Sequence, residues 1–98
     1  MDKSDAIILA KQYKEAVSKI VESPKVYLYG SYSRDCAQPD SDIDIAVIIP
    51  ELNDDWFSIV PKLWSASRKV STLIEPVLIE EKFPSPLYDD VMRTGIAI

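Results

Sequence analysis

"GSYSRDCAQPDSDIDIAVII", residues 30–49, sets one of only two glycines beside a serine, passes through ten mostly polar residues, and ends in an acidic start to an apolar run. Its last eight residues, DIDIAVII, are the clearest strand in the chain. Successive side chains on a strand point to opposite faces, so Asp42 and Asp44 share one face while Ile43, Ile45 and Val47 take the other. The apolar face is expected to receive the helices and the acidic face to stay open. Residues 32–41 are too polar for a strand and are read as a turn, with one helical turn around 33–37. Upstream, KVYLYG (25–30) is a strand rich in β-branched and aromatic residues that stops at Gly30. A turn of this length suits an antiparallel neighbour, which brings Gly30 and Ser31 beside Asp42.

Working outward, Ala6, Leu9, Ala10, Tyr13, Ala16, Val17 and Ile20 recur at three- and four-residue steps, which predicts an amphipathic helix over 4–22 capped by Ser4. Ser23-Pro24 stops it. Pro50 closes the acidic strand, and helical spacing resumes over 54–70 through Trp56, Ile59, Val60, Leu63, Trp64, Ser67 and Val70. Within that span Pro61 must sit in the first turn or kink the helix. IEPVLIE (74–80) is a further strand, placed at a sheet edge by Pro76, which has no N–H for a ladder bond. A last short helix is expected over 85–93, with Leu87, Val91 and Met92 inward and Gly95 as its stop.

A strand–helix–strand crossover makes its two strands parallel and right-handed. The starting ends of 42–49 and 74–80 then share one rim, which singles out Glu75 over Glu80 and Glu81 as a third carboxylate near Asp42 and Asp44. Two carboxylates about 4 Å apart repel by about 4 kcal/mol at an effective dielectric of ~20, so crowded acids call for a cation. Oxygen ligands of this kind suit Mg²⁺, which is held by one or two carboxylates plus phosphate oxygens. Gly30 lets backbone approach a phosphate closely, Ser31 can donate to it, and Arg34 can offset its charge. Ser33 is read as a cap of the turn. A calcium loop running from Asp40 through Asp42 and Asp44 to Glu51 is excluded by Ile45, which stands where such a loop turns on Gly.

With 98 residues, 47% of them apolar, the chain is expected to form a single domain over 1–98. The net charge of −5 argues against a long nucleic acid as partner, and the lack of His removes the commonest neutral-pH acid–base and the usual zinc ligand. No apolar run is long enough to span a bilayer and no signal pattern opens the sequence, so a cytoplasmic location is expected. The lone Cys36 is read as a small core thiol.

Gly30-Ser31, ten residues, then Asp42-Ile43-Asp44 resembles the signature of minimal nucleotidyltransferases of the DNA polymerase β-like superfamily. The leading helix, the strand before the glycine, the crossover and the IEPV strand extend the resemblance over nearly the whole chain. It implies an α/β (α+β) fold: a small mixed sheet of three to four strands with helices packed on one face. It further implies Mg²⁺ on Asp42, Asp44 and Glu75, triphosphate in contact with Ser31, beside the Gly30 and Arg34 already read as phosphate-facing, and transfer of NMP, most simply AMP from ATP, to a hydroxyl acceptor. Glu75 stands where the family often has Asp, and Asp35 where many relatives have Gly; Asp tolerates the left-handed backbone that such a Gly adopts. Small members commonly pair with HEPN toxins as antitoxins, so a protein partner of that type, or a second copy, is expected. The alternative from another class is a catalytically inactive antitoxin that neutralises its partner by masking it.

Overall fold

The computed structural model describes residues 1–53 and 55–98. Its elements run α1 (Lys3–Val17), β1 (Lys25–Tyr29), β2 (Ile43–Ile49), α2 (Trp56–Val70), β3 (Ile74–Glu80), α3 (Pro86–Thr94) and β4 (Ile96–Ala97). The strands form one mixed sheet in the order β3-β2-β1-β4. β1 is antiparallel to β2 and β2 is parallel to β3, as the turn and the crossover require. Pro76 is indeed on an edge strand. The two-residue β4, antiparallel to β1, was not foreseen, being too short to show an alternation.

α1 begins earlier than Ser4 because Asp2 is the cap. Its Oδ1 accepts from the Asp5 N–H at 2.9 Å and the Asp5 carboxylate accepts back from the Asp2 N–H at 3.4 Å, a reciprocal box that Ser4 could not complete. The regular helix ends at Val17, and residues up to Val21 continue in tighter turns with Ile20 and Val21 still packed on the core. The expected start of α2 at Asp54 lies outside the described residues; Asp55 caps the helix, accepting from the Phe57 N–H at 3.2 Å. Pro61 falls in the second turn of an unbroken α2, on its exposed side, where the Phe57 carbonyl that loses a helical donor can turn to water.

One face of the sheet is buried under α1 and α2, with Leu28, Ile43, Ile45 and Val47 packed against Ala6, Ala10, Tyr13, Val17, Ile59 and Leu63. The opposite face is not open, which corrects the expectation of helices on a single side. α3 crosses it, and Val91, Leu87 and Tyr88 pack on Ala46, Ile48 and Ile79. The reason is visible in β2: beyond Asp44 its acidic side becomes Ala46 and Ile48, apolar surface that must be covered.

Inside the α1–α2 contact the fully buried Tyr13 donates its hydroxyl to the Leu63 carbonyl at 2.8 Å. Tyr13→Phe is expected to cost about 1 kcal/mol, a fall of roughly 4–8 °C in melting temperature, by thermal denaturation followed by circular dichroism. No helix among the described residues is long and apolar enough to cross a membrane.

Candidate active site

The register of the sheet sets the acids in a row. Tyr29 of β1 lies opposite Asp44 of β2, and Asp44 lies beside Glu75 of β3, so all three side chains rise from one face at one rim. Asp42, two residues before Asp44 and therefore on the same side, precedes the strand and is exposed. Glu80 and Glu81 are at the other end: Glu80 accepts from the Leu52 N–H at 3.1 Å and Glu81 pairs with Lys25 at 3.4 Å. The choice of Glu75 over these two follows the parallel register.

Among the described residues, Asp42, Asp44 and Glu75 form no ion pair. Their proximity has an electrostatic cost that falls on the middle member: burial, then the charges of Glu75 and Asp42, push the Asp44 carboxyl above its ordinary range. Burial, then the charges of Asp44, Glu75 and Asp90 of α3, push the Tyr29 phenol up to about 12. Among the described residues, however, no three acids, cysteines or histidines come close enough to cage one ion. The three carboxylates share a rim without forming a ready-made triad. An unpaired set of oxygen donors that repel one another nevertheless fits Mg²⁺, since that ion takes only one or two carboxylates and completes its shell with water and phosphate.

Gly30 joins this row to the turn. Its φ is +75°, and a Cβ at this position would overlap Asp44 Oδ2. The carboxylate therefore occupies space that only glycine leaves free. Past Gly30 the chain winds into a helical turn slightly earlier than expected: the Arg34 N–H reaches the Gly30 carbonyl at 3.2 Å and the Cys36 N–H the Ser31 carbonyl at 3.0 Å. The Ser33 hydroxyl caps the turn on the Gly30 carbonyl at 3.0 Å. Ser31, Tyr32 and Ser33 lead it with N–H groups that have no backbone acceptor among the described residues, the arrangement in which successive amides receive an anion. Cys36 is exposed, contrary to the core thiol expected, because the turn carries it outward.

Arg34 is not free in solvent. Its Nη2 donates to Asp90 Oδ2 at 2.7 Å, and Arg93 approaches the other oxygen at 3.6 Å. Asp35 does adopt the left-handed backbone, with φ 59°, and its carboxylate pairs with Lys3 at 3.1 Å, at the start of α1. Its charge is thereby compensated by a partner of its own. Asp35→Gly is expected to change nucleotide affinity less than about threefold, by titration calorimetry, because it removes an exposed surface pair and relaxes a backbone that Gly prefers. A surface cleft of about 640 Å³, lined by Ile20, Ile49, Pro50, Leu52 and Ile59, opens at the far end of β2 and contains none of the site acids.

Residues 10–96 match the family described as the nucleotidyltransferase domain. The chain belongs to that family. A curated protein of Methanocaldococcus jannaschii, provisionally named a protein adenylyltransferase, is 24% identical over 98 residues, covering 96% of this chain and 99% of its own. Among solved structures, a toxin–antitoxin complex with AMP-PNP aligns at a TM-score of 0.63 and 21% identity, over 99% of this chain and 72% of that one. A nucleotidyltransferase, so named provisionally, from Sulfolobus solfataricus aligns at 0.60 and 21%, over 96% and 82% respectively. The toxin–antitoxin MntA–HpeT aligns at 0.54 and 22%, over 99% and 71%. At these identities the structures speak for a shared fold, and the nucleotidyltransferase reading of the chain rests on the family match.

Tyr29 and Asp90 were missed from sequence. The alternation of KVYLY, with Val26 and Leu28 inward, places Tyr29 on the acid face and could have found it. Asp90 had no such signal, since its position depends on the side of the sheet that α3 takes.

Proposed function

We propose that this nucleotidyltransferase domain moves AMP from ATP, with Mg²⁺, onto a hydroxyl group of a partner protein, a HEPN-type toxin being the preferred candidate, and releases pyrophosphate. The observation that carries the proposal is the unpaired row of Asp44 and Glu75 beside the glycine turn. The relative named for protein adenylylation and the similarity to toxin–antitoxin structures, one of them with AMP-PNP, support the choice of donor and acceptor class.

In this reading Asp42, Asp44 and Glu75 would hold metal ions between them, no single ion taking all three carboxylates, since the three do not cage one ion as they stand. When bound, Mg²⁺ neutralises phosphate charge and favours attack at phosphorus. The Ser31 hydroxyl and the leading amides of the turn donate to the β- and γ-phosphates, and Arg34 offsets their charge. Glu75, exposed at the rim, accepts the proton of the attacking hydroxyl. A new bond forms between the acceptor oxygen and the α-phosphorus, the bond to the bridging oxygen breaks, and pyrophosphate leaves with that electron pair. Nothing covalent forms on the chain.

The test is transfer of label from α-labelled ATP to the candidate partner in the presence of Mg²⁺. Label on the partner, lost in Asp42→Asn/Asp44→Asn, supports the enzyme. Neutralisation of the partner without label, undiminished by the double change, supports the masking module instead.

A further inference from the structure

We infer that Asp90 of α3 is a positioning residue for Arg34, fixing the guanidinium on the glycine turn so that it meets the triphosphate already oriented; the inference rests on the nucleotide site proposed above. Arg34 stands on a turn, and a free arginine side chain there would lose much rotamer freedom on binding a phosphate. Asp90 stands on a helix whose next residue, Val91, is fully buried against the sheet. The fixed member of the 2.7 Å pair is thus the acid.

Exposure follows the same division. The Asp90 side chain is 29% exposed and that of Arg34 49%, so the carboxylate is the more withdrawn partner and the fork faces outward. A guanidinium has five N–H donors, and the hydrogen bond to Asp90 engages only Nη2, which leaves the others for an incoming phosphate. Arg93 at the second carboxylate oxygen matters for the sign. With two guanidiniums on one carboxylate the group keeps a net charge of +1, so Asp90 can hold Arg34 without making the approach repulsive to an anion. A carboxylate that orients a cationic ligand group from behind is a familiar device for cutting the ordering cost of binding.

The experiment measures the affinity of the full chain for Mg²⁺–AMP-PNP by titration calorimetry in a double-mutant cycle. Asp90→Ala is expected to weaken binding roughly three- to tenfold in the wild-type background and less than twofold in an Arg34→Ala background, because it acts through Arg34. Asp90→Glu is expected to restore part of the loss. Asp90→Asn, nearly isosteric, carries the same test if the alanine variant does not fold. A purely structural role for Asp90 would lower melting temperatures without producing this coupling, and would overturn the proposal. So would unchanged or tighter binding in Asp90→Ala, the result expected if the acid only screened Arg34. Failure of the wild-type chain to bind Mg²⁺–AMP-PNP would instead remove the nucleotide site itself, and this inference with it.

Discussion

Asp42→Asn/Asp44→Asn is expected to lower label transfer ~10³-fold or more while raising the melting temperature by a few degrees, two changes of opposite sign from one double variant. The loss follows from removing the two oxygen donors proposed for the metal ion. The gain follows from the row itself: Asp44 is half-buried between Asp42 and Glu75, and its carboxyl is held above the ordinary range by burial and by their charges. A raised carboxyl binds its proton more tightly in the folded state than in the unfolded chain. Its contribution to stability is therefore fully present below the unfolded value, about pH 4, and is lost as pH rises through the folded value. The excess stability of the double variant should be present at pH 7–8 and shrink toward pH 4. Partial exposure of the site keeps the effect to a few degrees. Mg²⁺–ATP should raise the melting temperature of the wild-type chain, by about 2.7 kcal/mol of stabilisation at a hundred times the dissociation constant, and leave the double variant unmoved. Thermal melts at two pH values, with and without Mg²⁺–ATP, read all of this. A double variant that is less stable than wild type at pH 7 would contradict the uncompensated row.

Gly30→Ala is expected to harm both fold and transfer. The φ of +75° costs an alanine roughly 1–2 kcal/mol, equivalent to a fall of roughly 5–15 °C in melting temperature for a chain of this size. The added methyl also meets Asp44 Oδ2 and must displace it. A shift of about 1 Å in a positioned catalytic group is worth on the order of 10²-fold in rate. Transfer should thus drop about a hundredfold at a temperature where the variant is still folded by circular dichroism. A variant that loses only stability would separate the turn from the carboxylate and reduce Gly30 to a backbone requirement.

The acidic strand was legible because alternation is a property of the extended backbone: Asp42 and Asp44 on one side and Ile43, Ile45 and Val47 on the other needed no knowledge of neighbours. The glycine turn was legible for the same kind of local reason, since Gly30 and Asp35 adopt the left-handed backbone that their residue types permit. Glu75 could be selected from three acids because a helical crossover leaves little freedom in strand direction, and the Asp44–Glu75 register agrees. Element ends were less legible. The cap of α1 belongs to Asp2 through its exchange with Asp5, and both Asp2 and Ser4 are good capping types, so only the hydrogen bonds decide between them. Cys36 was misjudged because a small thiol is usually buried, and a turn that projects from the sheet overrides that preference.

What the sequence determined by itself is the order of the elements from α1 to α3, the face on which the acids lie and the place of the glycine turn beside them, all consequences of backbone periodicity and of steric limits acting within a few residues. What only the tertiary structure decided is the surroundings of that site: α3 over the acid face, Arg34 tied to Asp90, and carboxylates that share a rim without closing into a cage. These depend on which side of the sheet the chain crosses between β3 and β4. That choice is made by the burial of Ala46, Ile48 and Ile79, residues distant in sequence from the helix that covers them, and no local pattern in residues 86–94 records it.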